Sequence, residues 1–218
     1  MKEQPQRTFT SQEQQLLEEI MMHRRDVRGN HFLDTPIPEE AIDTIIKSAL
    51  VAPSVGFSQP WEFVLIRDQK TKQAVKATFS EETERAALQF ADQKQKEYIK
   101  LKLEGILEAP LNIAVFYKPK EGPVLGQTSM PNMGKYSVVC AIQNMWLMAR
   151  SLNIGMGWVS ILDPEKVKKV LRAPKENQLV GYLCFGYTDM FYNQPELELR
   201  KWDRKKLQKE VVIQERYI

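Results

Sequence analysis

Two cysteines and two histidines are all that this 218-residue sequence offers a covalent or metal framework. Cys140 and Cys184 each sit inside an apolar stretch, which predicts reduced, buried thiols and not a disulfide scaffold. His23 and His31 are lone histidines that leave no zinc-type cluster, so no metal site is expected. No apolar run approaches the roughly 20 residues of a membrane span. The opening Met1-Lys-Glu-Gln-Pro-Gln6 has no apolar core of the secretory kind, and the expected location is cytoplasmic, with no membrane partner. A dominant charge is missing too: 31 Lys+Arg against 28 Asp+Glu leaves a net charge of +3. That balance, with no basic stripe interleaved with aromatics, argues against nucleic acid as a partner. Repeats and low-complexity segments are also absent.

What is present is apolar material, 43% of the residues, enough for one core in a single domain spanning 1–218. Ser11-Gln-Glu-Gln14 reads as a capping box, and Leu16, Leu17, Ile20 and Met21 give the helix behind it one apolar face to about Arg24. Ile42, Ile45, Ile46, Ala49 and Leu50 recur at helical spacing over Glu39 to Val51, until Ala52-Pro53 stops the pattern. Phe63 to Ile66 and Leu111 to Tyr117 read as buried strands. Between them Lys70 to Leu107 is charge-rich and predicts a long, solvated helical excursion. Tyr136 to Leu152 carries a wide apolar surface and predicts a central helix, ended by Asn153-Ile-Gly-Met-Gly157. Trp158 to Ile161 then predicts a short strand, Asp163-Pro164 a helix start, and Leu179 to Phe185 a further strand. The polar, basic extension from 187 to 218 ends in Val211-Val-Ile213, an apolar patch with no local partner that could embrace a second subunit. Strands separated by long helices favour a layered α+β fold.

Three segments carry chemical information. Arg24-Arg-Asp-Val-Arg28 puts three guanidiniums within five positions, where they suit a dianionic phosphate through planar forks of donors. A solvated basic helix end, favoured by the macrodipole, accounts for the same pattern. Ala52-Pro-Ser-Val-Gly-Phe-Ser-Gln-Pro-Trp61 combines small and hydroxyl residues with fixed prolines and suits close approach of a flat polar ligand; an ordinary helix-to-strand connection is the alternative. Gly155-Met-Gly-Trp-Val-Ser-Ile161 allows close backbone approach at its glycines, although Gly155 by itself reads equally as a helix cap. Ser160 places a lone hydroxyl in an apolar strand, where it needs a partner.

Together these segments resemble the nitroreductase superfamily, whose members open with Arg-Arg-Ser-x-Arg and follow with an Ala-Pro-Ser…Gln-Pro-Trp loop. Asp26 stands where the typical member has Ser. With the strings Leu101-Lys-Leu-Glu-Gly-Ile106, Tyr136-Ser-Val-Val-Cys-Ala141 and Gly157-Trp-Val-Ser-Ile161, the sequence is similar to the BluB-like branch over about Leu16 to Trp202. The resemblance implies a nitroreductase-like α+β fold, a mainly antiparallel central sheet flanked by helices, and a homodimer with flavin sites at the subunit interface. It implies oxygen-dependent fragmentation of reduced FMN to 5,6-dimethylbenzimidazole, the lower ligand of cobalamin, and D-erythrose 4-phosphate. Reduced FMN and molecular oxygen are then the substrates, and a separate flavin reductase supplies the former.

Residue by residue, the resemblance carries over Arg24, Arg25 and Arg28 as contacts to the FMN phosphate and ring edge, with Asp26 and Val27 between them. Pro53, Ser54 and Gly56 line the flavin from another side, Gly157 and Trp158 present backbone near its reactive centre, and Arg204 or Lys205 completes the phosphate site. Asp26 and Ser160 are the expected catalytic pair, Asp26 as an acid/base and Ser160 at the flavin N5 region; an ion pair with its arginine neighbours is the alternative for Asp26. Lys70 to Leu107 corresponds to a lid. An NAD(P)H-dependent nitroreductase or flavin reductase, or a non-catalytic flavin-binding protein, would use many of the same residues.

Overall fold

Leu111-Asn-Ile-Ala-Val-Phe-Tyr117 is buried at every position, because it runs through the middle of the sheet with helices on both faces. The structure is a computed structural model that describes residues 6–90, 95, 98, 101 and 103–217. Strands β1 (Trp61–Ile66), β2 (Leu111–Tyr117), β3 (Ile154–Val159) and β4 (Gln178–Tyr187) form one sheet in the order β1-β2-β4-β3, and every neighbouring pair is antiparallel. As an edge strand, β1 leaves Val64 and Leu65 exposed, so this segment forms the expected strand but not the expected buried one. β3 starts at Ile154, four residues earlier than the sequence suggests. The helix before it is closed by Asn153 in the left-handed region (φ 57°), which leaves Gly155 and Gly157 inside the strand.

One face of the sheet is covered by α2 (Glu39–Leu50) and α4 (Met133–Ser151); α3 (Gln69–Ala87) and α5 (Pro164–Leu171) cover the other. Ile42, Ile45 and Ala49 pack against Val138, Ala141, Ile142 and Met145, as their helical spacing predicts. Leu50 lies about 100° round the helix from Ala49 and is exposed. Cys184 is buried on β4, where burial pushes its thiol up, whereas Cys140 lies on the open side of α4 and is exposed. Asp163 caps α5 through the backbone N–H groups of Glu165 and Lys166, with Pro164 in the first turn.

Two elements depart further from expectation. In α1 (Ser11–His23) the cap is Thr10, one residue before the expected box: its hydroxyl accepts from Glu13 N–H, and the Glu13 carboxylate accepts from Thr10 N–H at 2.8 Å. The apolar face of α1 is present but, among the described residues, it is covered only where its C-terminal end meets α4; Leu16 stays 58% and Leu17 52% exposed. The charge-rich excursion is less solvated than its composition suggests. α3 buries Lys72, Val75, Thr78 and Phe79, and Lys72 Nζ donates to the carbonyls of Ala109 (2.6 Å) and Pro110 (3.2 Å). Part of the rest of this excursion lies outside the described residues. Beyond β4 the chain forms short helices α6 (Glu196–Leu199) and α7 (Gln208–Val211), and Val211, Val212 and Ile213 stay exposed.

Candidate active site

β3 is the second edge of the sheet, and the chain leaving α1 docks on it. Val27 N–H donates to Met156 O at 3.0 Å and Asp26 bridges Met156 in parallel sense, so residues 26–27 add a short ladder beyond β3. The two glycines of Gly155-Met-Gly157 make this docking possible. A Cβ at Gly157 would lie 2.4 Å from the Val27 carbonyl oxygen, and one at Gly155 would lie 2.9 Å from Val27 Cγ2. The close approach expected of these glycines is therefore real, and the group approaching is the chain's own Val27.

The docked segment fixes Asp26. Its Oδ1 accepts from Trp158 N–H at 3.0 Å and its Oδ2 pairs with Arg28 Nη2 at 2.8 Å. The side chain is 27% exposed, and burial of the remainder raises its pKa above the ordinary carboxyl value, against the opposing pull of Arg28, the Trp158 N–H and Arg24. The ion pair expected as the alternative for Asp26 is present, on a carboxyl whose pKa burial raises.

The arginines divide their duties. The Arg24 guanidinium lies 4.4 Å from the centre of the Trp146 ring. Arg25 donates through Nη1 to the carbonyls of Met22 and Arg24, both at 2.7 Å, and through Nη2 to Asn193 O at 2.6 Å; its Nε is buried with no acceptor among the described residues. Arg28 is the most committed, since Nη1 donates to Leu103 O at 2.9 Å and Nε lies 3.8 Å from Glu196 Oε2. These side chains and Asp26 line a recess of about 240 Å³ closed on its far side by Tyr192, Pro195, Glu196 and Leu197. Three guanidiniums against two carboxylates, with one orphaned N–H, give it the donor surplus that an anionic group needs.

Other expected site residues lie elsewhere. The loop 52–60 is held at the start of α4, where Ser137 Oγ accepts from Val55 N–H at 3.0 Å, and Ser54 Oγ accepts from Gln59 N–H at 3.1 Å. Gly56 adopts φ 54° and has no room for a Cβ, which would meet Leu125 O at 2.7 Å. Pro53, Ser54 and Gly56 do not line the recess. Ser137 and Trp146 are nine positions apart on α4, about 13 Å along its axis, and the loop leads into β1 at the opposite edge of the sheet, about 14 Å across. Ser160 is the first residue beyond β3 and is exposed, so the buried-strand setting inferred for its hydroxyl is absent. Arg204 pairs with Glu210 (2.6 Å), holding that carboxyl down at about 2, and Lys205 N–H donates to Glu198; neither residue lines the recess. Sequence reasoning missed Tyr192 and Glu196, which reach the site from a polar extension with no hydrophobic period to announce them.

The Nitroreductase family matches residues 21–187. A 5,6-dimethylbenzimidazole synthase of Rhodospirillum rubrum is 41% identical over 192 residues, covering 87% of this chain and 90% of that protein. Among solved structures, an oxidised iodotyrosine deiodinase bound to FMN and 3-iodo-L-tyrosine superposes with a TM-score of 0.71 at 21% identity, covering 93% of this chain and 100% of that one. A BluB-like flavoprotein from Clostridium difficile 630 gives a TM-score of 0.69 at 21% identity, over 90% and 97% of the two chains.

Proposed function

Because this chain belongs to the nitroreductase family, and within it to the 5,6-dimethylbenzimidazole synthases, we propose that it fragments reduced FMN with molecular oxygen to 5,6-dimethylbenzimidazole and D-erythrose 4-phosphate. The observation that carries the reading is Asp26, held at the Trp158 N–H inside an arginine-lined recess. Arg24 and Arg25 supply donors for the phosphate, and the unpaired Arg25 Nε is the clearest vacancy for one. Reduced FMN supplies the electrons for oxygen and the carbon skeleton that is cut. Asp26 acts as acid/base on that skeleton, its proton affinity raised by burial and its orientation fixed by Trp158 N–H and Arg28. Ser160 stands two positions beyond Trp158, at the open mouth of β3, where a ring lying against Gly157 and Trp158 would bring it a partner.

The site is built by two copies of the chain. A recess of about 240 Å³ is smaller than the roughly 300–1,000 Å³ of ordinary ligand pockets. The Pro53, Ser54 and Gly56 loop sits at the other edge of the same sheet, and it meets the arginine corner of a partner chain instead of its own. The uncovered face of α1 and the apolar tail at 211–213 provide the surface for that association. Arg204 and Lys205 belong to the same tail. The protein works in the cytoplasm with a separate flavin reductase, and of the lid expected over residues 70–107 only the part beyond α3, which is itself packed on the sheet, keeps bulk water from the flavin.

Purified protein mixed with reduced FMN in air tests this reading. Appearance of 5,6-dimethylbenzimidazole supports it. Consumption of NAD(P)H with intact FMN would make the protein a reductase, and flavin binding without either reaction would make it a carrier.

A further inference from the structure

Beside the arginine corner runs a second chain of polar groups that the proposed reaction does not yet use. The 3₁₀ turn Gly29–His31 carries His31 out of the Asp26 segment, and residues 31–33 pair with the strand leaving β4: Asp189 N–H donates to His31 O at 3.1 Å, and Leu33 N–H donates to Tyr187 O at 2.8 Å. This pairing sets the Asp189 and His31 side chains together. A carboxylate only accepts, so His31 Nδ1–H donates to Asp189 Oδ1 at 2.9 Å. The other ring nitrogen of the neutral imidazole then accepts from the Tyr192 O–H, with Nε2 and the phenol oxygen 3.0 Å apart. Tyr192 is also a wall of the recess that contains Asp26, and its segment is tied there by the Arg25 bond to Asn193 O. The Asp189 side chain is 53% exposed and that of His31 12%. One hydrogen-bonded line therefore runs from solvent to the recess.

We propose that Asp189, His31 and Tyr192 form a proton relay serving the recess, with Tyr192 as the terminal group that meets the flavin substrate and His31 and Asp189 as positioning residues behind it. The proposal rests on the flavin-fragmenting reading of the site. To deliver a proton, Tyr192 gives its O–H proton to the reacting group, while its oxygen takes one from Nε2–H of a His31 imidazolium. The imidazole is left neutral, with Nδ1–H still on Asp189. To remove a proton, the same transfers run backwards and Asp189 faces the resulting imidazolium. No electrons move: the imidazolium gains or loses its proton at Nδ1, through Asp189 to water, while Nε2 exchanges with Tyr192, so each full transfer leaves the ring in its other neutral tautomer. The arrangement follows the carboxylate–imidazole–hydroxyl logic of hydrolytic triads, with a phenol at the working end.

Single-turnover formation of 5,6-dimethylbenzimidazole from saturating reduced FMN in air, with FMN affinity measured alongside, tests the relay in the full chain. Y192F and H31A are expected to slow formation at least about tenfold, while FMN affinity changes by less than about threefold. Added imidazole restores H31A and leaves the double variant H31A/Y192F slow, which a purely structural role for His31 does not produce. Wild-type rates in Y192F, or a slow H31A that imidazole does not restore, overturn the relay. If H31A does not fold, D189N takes its place: a loss of about tenfold supports the relay, and an unchanged rate overturns it. Should the wild type form no benzimidazole, the underlying reading falls and the relay with it; if the wild type and every variant form it equally, only the relay falls.

Discussion

Replacing either glycine of Gly155-Met-Gly157 by alanine puts a methyl group into the seam between β3 and the arginine corner, and the two obstacles differ in kind. At Gly157 the new Cβ meets the Val27 carbonyl oxygen at 2.4 Å, and a backbone carbonyl moves only if the segment moves. The displacement opens the Val27 N–H bond to Met156 and the Trp158 N–H bond to Asp26. Overpacking costs about 1–3 kcal/mol, and a hydrogen bond to a charged acceptor adds about 1.5–3 kcal/mol. A combined loss of about 3 kcal/mol in a chain of this length lowers the melting temperature by about 6–12 °C. At Gly155 the nearest obstacle is the Val27 side chain, at 2.9 Å. Trimming Val27 to alanine removes Cγ2, so the double variant G155A/V27A is expected to regain flavin binding that G155A loses, whereas G157A/V27A does not. Calorimetry and flavin fluorescence quenching on the four variants and V27A read the coupling directly. Equal behaviour of the two pairs, or a G157A protein with wild-type stability and flavin affinity, would refute the docking of Val27 on β3 as the basis of the site.

Three further outcomes follow from the same geometry. Asp26 has a raised folded pKa, so its contribution to stability is fully present below the unfolded carboxyl value of about 3.9 and is lost as pH rises through the folded value. Denaturant titrations should therefore show wild type losing stability relative to Asp26→Asn as pH climbs from about 4 towards neutrality; a difference that grows in favour of wild type would reverse the assignment. Leu17→Glu places a charge on the uncovered face of α1 and is expected to shift the light-scattering mass from two chains to one and to weaken flavin binding; a wild-type mass of one chain contradicts the composite site. Thr10→Ala removes the α1 cap and should cost about 1 kcal/mol, a fall in melting temperature of about 2–4 °C, without change in product formation.

The period of the sequence revealed those parts of the molecule whose partners are near in the chain or whose burial is complete. Ile42, Ile45 and Ala49 announce α2, the unbroken apolar run at 111–117 announces the middle strand, and Asp163-Pro164 announces a helix start that the backbone bonds confirm. Misreadings occur where distant partners set the conformation. Gly155-Met-Gly157 resembles a helix stop because glycine is common there, yet these glycines are strand residues made small by Val27, more than a hundred positions away. Val64 and Leu65 look like core but stand on an edge, and Lys72 looks solvated but is buried against two carbonyls. The arginine corner was legible because its charges crowd within five residues. Tyr192 and Glu196 were not, since only folding brings the extension beyond β4 to that corner.

The central claim is that the partly buried carboxylate of Asp26 performs the chemistry. Substituting Asp26→Asn preserves its shape, its place at the Trp158 N–H and the arginines around it, so FMN binding should persist. Product formation from saturating reduced FMN in air should then fall by at least about a hundredfold. Undiminished 5,6-dimethylbenzimidazole formation by an Asp26→Asn protein that binds FMN like the wild type would contradict the account.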